Sequence, residues 1–257
     1  MTATEPIAAP VRRLEWQLAE VREIVVETFR VKSLRLHVPS WRGHRPGQHV
    51  DVRLTAEDGY QAQRSYSIAS PPEDELLTLT VELVEDGEVS PYLLGELRVG
   101  DQLELRGPVG RYFVWTAMMG GPLFLLAGGS GVAPLMAMLR HRIRADRRPH
   151  ASLLYSSRSL DDVIYRAELE AMARQDPRLR VVHTLTREAT AEWSGRRGRI
   201  DRALLVEGGF RPEQFPKIFI CGPTPFVEHA SSLLVAIGHA PLAIKTERFG
   251  PTGGGTS

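Results

Sequence analysis

Four short segments bring together residue types that can hold phosphate or an aromatic redox cofactor. The first is Arg64-Ser65-Tyr66-Ser67-Ile68-Ala69-Ser70. It sets a guanidinium, a phenol and several hydroxyls along one strand-like stretch. A guanidinium pairs with phosphate, a phenol ring lies against another ring, and a hydroxyl bonds a ring nitrogen, so these parts could grip a flavin nucleotide. An ordinary barrel strand with alternating polar residues carries the same pattern. The second segment, Gly87-Glu88-Val89-Ser90, precedes a helix-like run. A glycine turn at a helix start exposes backbone N–H groups to a phosphate. Equally, Ser90 could serve as N-cap with Pro91 at the first helical position, with no ligand at all.

The third segment runs from Leu123 to Pro134 and reads as an apolar strand, the turn Gly128-Gly129-Ser130-Gly131, then a helix. Glycines let a pyrophosphate approach, and the helix start attracts its charge. Pro134 stands where the usual dinucleotide fingerprint has its third glycine, which points away from the commonest Rossmann dehydrogenases. The fourth, Ile218-Phe219-Ile220-Cys221-Gly222-Pro223-Thr224-Pro225, is a buried strand ending in a Gly-Pro turn. In open parallel sheets, ligands bind beyond the carboxyl ends of strands. Cys221 could otherwise be a small buried hydrophobe.

These segments need elements to position them, and the chain changes character near residue 120. From Leu14 to about Trp115, short apolar runs alternate with turn signals. This predicts an antiparallel barrel of six strands at Gln17–Glu27, Val31–Val38, Gln48–Leu54, Arg64–Ala69, Leu77–Val84 and Gln102–Arg106, with one short helix at Pro91–Leu97. Beyond Gly121, strand-like and helix-like runs alternate, which implies a parallel sheet. The strands fall at Leu123–Ala127, Ser152–Tyr155, Arg180–Thr184, Lys217–Cys221 and Ala243–Thr246. The helices fall at Ala133–Arg144, Asp161–Arg174, Arg202–Val206 and Phe226–Ile237. The expectation is therefore a β-barrel domain over 14–115 and a five-stranded α/β domain over 121–250, with flexible ends at 1–13 and 251–257.

Composition narrows the function. With 32 Lys plus Arg against 31 Asp plus Glu, the net charge of +1 argues against a nucleic-acid binder. The single cysteine, Cys221, can form no disulfide within the chain and no cysteine-ligated cluster, and no metal site is expected. Residues 1–10 lack the apolar stretch of a secretory signal, and glycines interrupt the most apolar run, 122–139. The expectation is a cytoplasmic protein with no membrane insertion. The basic run from Arg140 to Arg148 could dock an acidic partner or be a solvated helix end favoured by the helix dipole. A second basic cluster, Arg196-Arg197-Gly198-Arg199, is equally ambiguous.

Taken together, the segments resemble the ferredoxin–NADP reductase superfamily, especially the branch with flavohaemoglobin and oxygenase reductases. RSYSIAS at 64–70 looks like its flavin motif, GEVS at 87–90 like its pyrophosphate turn, and GGSGVAP at 128–134 like its nicotinamide-dinucleotide loop. CGPTPF at 221–226 and TERFG at 246–250 complete the set in order. The resemblance covers roughly residues 15–250. It implies that Arg64 and Ser65 meet the flavin nucleotide, that Tyr66 packs on its ring, and that Ser67 approaches the hydride-accepting nitrogen. It implies a cofactor path along Val81, Leu83 and Val84, and a pyrophosphate held by Gly87, Val89 and Ser90. Gly129, Ser130 and Gly131 would carry the dinucleotide phosphates, with Cys221, Gly222 and Pro223 near the nicotinamide. Phe249 would shield the other flavin face, or only cap the sheet edge. Glu247 would relay a proton or fix a ring, with a surface salt bridge as its alternative. Ser67, Cys221 and Glu247 are the residues with a catalytic role by this analogy.

The resemblance favours FAD over FMN, because the pyrophosphate turn is present. NADPH is chosen over NADH because Ser157 and Arg158, assisted by Arg166, could hold a 2′-phosphate. Arg158 could instead pair with Asp161 or Asp162. The implied activity is hydride transfer to FAD and electron transfer to a separate acceptor: a ferredoxin, a flavodoxin, or an oxygenase or other redox component. A monomer is expected. A free-flavin reductase and a non-catalytic flavin-binding electron-transfer subunit are the competing readings.

Overall fold

A computed structural model of the chain describes residues 14–145, 148–187 and 193–250, so the ends expected to be flexible lie outside the described residues. The first half forms a six-stranded antiparallel sheet: β1 (Trp16–Thr28), β2 (Val31–His37), β3 (His49–Thr55), β4 (Gln61–Ser67), β5 (Leu77–Glu82) and β6 (Gln102–Val109), in the order β4-β3-β6-β1-β2-β5. Alternation sends Leu34, Leu36, Val50, Val52, Leu79 and Leu105 into one core. β1 is long because it serves two neighbours. Trp16–Glu20 pairs with β6, Glu20–Thr28 pairs with β2, and bulges after Val21 and Val26 bend it between them. The sheet closes through the Ile68–Leu79 bridge and the Ala69 N–H donating to the Thr78 carbonyl at 2.8 Å. The short helix α1 (Ser90–Gly95) adds Leu93 to the core.

The second half is a parallel sheet of β7 (Leu123–Gly128), β8 (Ala151–Ser157), β9 (Leu179–Leu185), β10 (Arg196–Arg197), β11 (Lys217–Pro223) and β12 (Ile244–Phe249), in the order β10-β9-β8-β7-β11-β12. β7 and β8 are buried at every residue, as strands covered on both faces must be. The covering helices are α2 (Val132–Arg144), α3 (Arg166–Gln175), α4 (Arg202–Gly208) and α5 (Thr224–Ile237). The sheet has six strands where five were expected. The extra one, β10, is two exposed arginines in the second basic cluster, paired with Thr184 and Leu185. No apolar run announces such a strand. α3 begins five residues later than expected. The Asp162 carboxylate accepts from the Ser159 N–H and hydroxyl, and Tyr165 sits at φ 59°, the left-handed region that a continuing helix cannot use.

The barrel and the sheet meet along β5. Its outward residue Thr80 lies opposite Ser33 of β2, and the Tyr165 hydroxyl reaches across to bond Thr80. The Arg140 guanidinium lies 4.7 Å from the Tyr165 ring centroid, donates to the Ala69 carbonyl at 2.8 Å and grips Glu168 with two bonds. His141 meets Glu73 at 2.6 Å, and Arg144 meets Asp74 at 2.6 Å. Arg142 is fully buried, 2.7 Å from Asp176, and also donates to the Pro149 carbonyl. Over residues 140–142 the basic run is therefore covered rather than a solvated helix end, and through Arg140, His141, Arg142 and Arg144 it ties the sheet to the barrel and to its own core. No helix among the described residues is long and apolar enough to cross a membrane.

Arg142→Ala leaves the Asp176 carboxylate without its charged partner, and breaking such a buried pair costs about 3–5 kcal/mol. Urea unfolding should show that loss. The double replacement Arg142→Met with Asp176→Leu should recover most of it, because no orphaned charge then remains.

Candidate active site at the junction of barrel and sheet

β7 and β11 are neighbours whose connections leave in opposite directions, toward β8 on one side and β12 on the other. That reversal opens a crevice at their carboxyl ends. The glycines there serve close approach: a Cβ on Gly131 would stand 2.2 Å from the Cys221 carbonyl oxygen, and one on Gly222 would stand 2.8 Å from the Phe226 ring. Gly129 differs. It holds φ 54° with nothing within 4 Å of its would-be Cβ, so the turn presents open backbone to an incoming group. The start of α2 has neither a side-chain cap nor an acidic residue in its first turn, a helix start whose dipole favours an anion, although the Val132 N–H is already bonded to the Gly129 and Ser130 carbonyls of the turn before it. Pro134 is the third residue of that helix, where a missing N–H costs no bond. The departure from the dinucleotide fingerprint is thus structurally neutral.

On the barrel side, Arg64 donates to Glu88 at 2.9 Å, and the Tyr60 hydroxyl bonds the same carboxylate. This ties β4 to the Gly87 turn and makes one surface of the first two sequence segments. Ser90 is not an N-cap. Its hydroxyl accepts from the Val84 N–H at 3.0 Å and closes the turn. Ser65 donates to Asp51 at 2.7 Å and is committed to the barrel. The Val81 and Val89 side chains are wholly within the barrel core, so only their backbone can meet a ligand, whereas Leu83 is half-buried and Val84 is exposed.

Between the two surfaces lie titratable groups with little charge. Glu247 on β12 pairs in register with Cys221 on β11. Burial pushes the Glu247 carboxyl up to about 7, and its Oε2 is buried with no partner. His49 Nδ1 lies 3.9 Å from the other carboxylate oxygen, and His49 is the cross-strand partner of Ser67. Burial pulls the His49 imidazole below its usual range, which disfavours a charged pair between it and Glu247. Burial, then the neighbouring Glu247, pushes the Cys221 thiol up, so it is not a nucleophilic thiolate. Burial pushes the Tyr66 phenol up to about 12. Phe249, at the end of β12, lies beside Pro223 and packs half-buried against the sheet's core.

The phosphate-type loop also touches the barrel: the Ser130 hydroxyl donates to Glu82 of β5 at 2.6 Å. Arg158 is exposed, and among the described residues it pairs with neither Asp161 nor Asp162. Ser157 is buried beside it. Arg166 opens α3 and bonds Glu170 at 3.0 Å, with no hydrogen bond to Ser157 or Arg158. Sequence reasoning missed His49, Glu82 and the pairing of Glu88 with Arg64. Only strand register and the seating of the sheet on the barrel bring them to the junction.

An extended, mostly uncharged ring system with phosphates toward both ends fits this arrangement. The orphaned Glu247 oxygen can accept from a bound donor, the open Gly129 turn can admit phosphate, and Arg64 can pair with another phosphate in place of Glu88.

Comparison with known proteins gives the same assignment for both halves. Residues 17–114 match the oxidoreductase FAD-binding domain, and residues 125–232 match the oxidoreductase NAD-binding domain. The chain is 34% identical over 212 residues to the glycine betaine monooxygenase reductase subunit of Chromohalobacter salexigens, covering 81% of this chain and 56% of that protein. It therefore spans little more than half the length of that relative. It is 34% identical over 228 residues to ferredoxin–NADP reductase B of Sorangium cellulosum, covering 86% of this chain and 84% of that one. Among solved structures, the cytochrome P450 reductase GcoB of Amycolatopsis superposes with a TM-score of 0.82 at 26% identity, covering 97% of this chain and 74% of that one.

The raised Glu247 carboxyl has a consequence for stability. Between the usual carboxylate value of 4.5 and about 7, the folded protein holds a proton that the unfolded chain has released. Stability therefore falls as pH rises through that window. Glu247→Gln should flatten this slope and raise the unfolding midpoint relative to the parent at pH 8, as read by denaturant melts across the range.

Proposed function

The chain belongs to the ferredoxin–NADP reductase superfamily, and on that footing we propose that it moves hydride from a reduced nicotinamide dinucleotide to bound FAD and passes the electrons to a separate acceptor. One observation carries this reading. The flavin-type strand β4, through Ser67 and its cross-strand partner His49 on β3, and the nicotinamide-type strands β11 and β12, through Cys221 and Glu247, converge on one desolvated junction. In this reading the barrel of residues 14–115 holds FAD, and residues 121–250 bind the nicotinamide dinucleotide.

Bound flavin accepts two electrons together and releases them singly, which lets a hydride donor serve one-electron acceptors. The residues do the rest. Arg64 and the backbone of Gly87 to Ser90 hold the FAD phosphates, and Tyr66 and Phe249 bracket the ring position as neutral aromatic faces. Gly129 to Gly131 take the dinucleotide phosphates. The small, uncharged side chain of Cys221, with Gly222 and Pro223, leaves room for the nicotinamide ring. Glu247, whose carboxyl is pushed up to about 7 by burial, can hold or release a proton near neutral pH. Ser67 offers a hydroxyl on the opposite wall.

NADPH is proposed over NADH because Arg158 is exposed and uncommitted beside Ser157, as a 2′-phosphate reader must be. The acceptor is proposed to be a separate ferredoxin, flavodoxin or oxygenase component. A glycine betaine monooxygenase reductase subunit and the electron transfer component of a xylene/toluene monooxygenase are among the relatives. With one cysteine, this chain cannot build a cysteine-ligated cluster, so in this proposal electrons leave it from the flavin. A cytoplasmic monomer is the setting proposed.

Two variants test the assignments. Arg64→Ala removes a charge-assisted phosphate contact worth about 1.5–3 kcal/mol, so the purified protein should carry about tenfold or more weaker FAD; full FAD retention on dialysis would remove Arg64 from the site. Arg158→Ala should raise the KM for NADPH about tenfold while leaving that for NADH nearly unchanged. Equal effects on both would show that Arg158 does not read the 2′-phosphate.

A further inference from the structure

At the amino-terminal ends of β11 and β12, away from the junction, the sheet carries a second concavity of about 610 Å³. Its walls are apolar: Phe215, Phe219, Leu242, Ala243 and Met119. Several large side chains at this end stand in water, with Leu242 and neighbouring Met118 each 96% exposed and Phe215 79% exposed. Phe215 is also held at φ 50°, a left-handed conformation unusual for a bulky side chain. Exposed apolar surface gathered around a concavity of ligand size marks a binding site rather than scattered surface residues.

The polar groups fix the class of ligand. Lys217 and Lys245 both line the concavity. Lys245 Nζ sits 5.4 Å from the Phe219 ring centroid and 5.7 Å from that of Tyr112, with the Val114 carbonyl, at 3.4 Å, as its hydrogen-bond acceptor. Burial, then Lys217 and Arg45, pull its ammonium below the usual lysine range. Among the described residues no carboxylate forms an ion pair with any of these three cations. The one acidic residue of the lining, Glu213, is exposed and forms no ion pair among the described residues. Cations crowded at an apolar wall without a counter-charge repel one another, and an incoming anion relieves that cost.

We propose that this concavity binds a small organic carboxylate with an aliphatic or aromatic body, its carboxylate held by Lys217 and Lys245 and its apolar part against Phe215, Phe219 and Leu242. The site is independent of the flavin and dinucleotide assignments, since it lies at the opposite ends of β11 and β12.

Calorimetric titration of the FAD-loaded protein with octanoate tests it, with octanamide as the uncharged control. The proposal expects one octanoate per chain, binding about tenfold weaker for octanamide, and no competition from NADP+. Lys217→Glu should weaken octanoate about tenfold or more, Lys217→Arg should restore it, and both should reduce flavin with NADPH at the parent rate. Phe215→Ser should weaken octanoate and octanamide alike. No saturable binding at millimolar octanoate, equal binding by parent and Lys217→Glu, or displacement by NADP+ would overturn the proposal. So would association with phosphatidylglycerol vesicles in the absence of octanoate binding, which would mark a lipid surface as the occupant.

Discussion

The Tyr165 hydroxyl bonded to Thr80 is the contact from which the rest of the arrangement follows. Tyr165 lies between the second strand of the parallel sheet and its helix, in a backbone conformation that local sequence disfavours. Holding it there takes the Arg140 guanidinium against its ring and the Glu168 carboxylate behind that guanidinium. Strain of about 1–3 kcal/mol at such a residue persists only where surrounding contacts over-determine it. Because Thr80 and Glu82 project from the same face of β5, the strand that receives Tyr165 also receives Ser130 from the glycine-rich loop. Seating the sheet on the barrel and placing the phosphate-type loop are therefore one event.

The junction created by that seating is desolvated, and its titratable groups show it. Tyr66, Cys221, Glu247 and His49 are all shifted toward their uncharged forms, each with burial as the leading cause. Charge is kept further out, at Arg64 and Glu88 on one side and at Arg158 on the other. A neutral centre between polar, phosphate-competent ends suits stacked aromatic rings whose phosphates reach toward solvent. The protein supplies orientation and exclusion of water there, while the redox chemistry belongs to the cofactors.

Much of this was legible in the sequence because the signals were local. Apolar alternation located all six barrel strands, and strand–turn–helix patterning located five of the six parallel strands. β10 escaped because two arginines bear no apolar signal, and α3 began late because Asp162 and Tyr165 act through a side-chain bond and a left-handed residue rather than through composition. The basic run after residue 139 was ambiguous for a different reason. Its partners, Glu73, Asp74, Glu168 and Asp176, are scattered along the chain and meet it only after folding. His49 and Glu82 were invisible for the same reason: a lone histidine in a strand and a lone glutamate at a strand end acquire meaning from register and docking. Ser90 shows the opposite case, in which a strong capping signal is overridden by a turn-closing bond to Val84.

The proposed activity requires a flavin and a nicotinamide to meet at this junction. Anaerobic titration of the purified yellow protein with NADPH, and separately with NADH, tests it most directly. The expected result is stoichiometric bound FAD whose oxidised absorbance bleaches with one equivalent of reduced dinucleotide and returns when an electron acceptor is added. A protein that takes up neither FAD nor FMN, or whose bound flavin is unchanged by both donors, would contradict it.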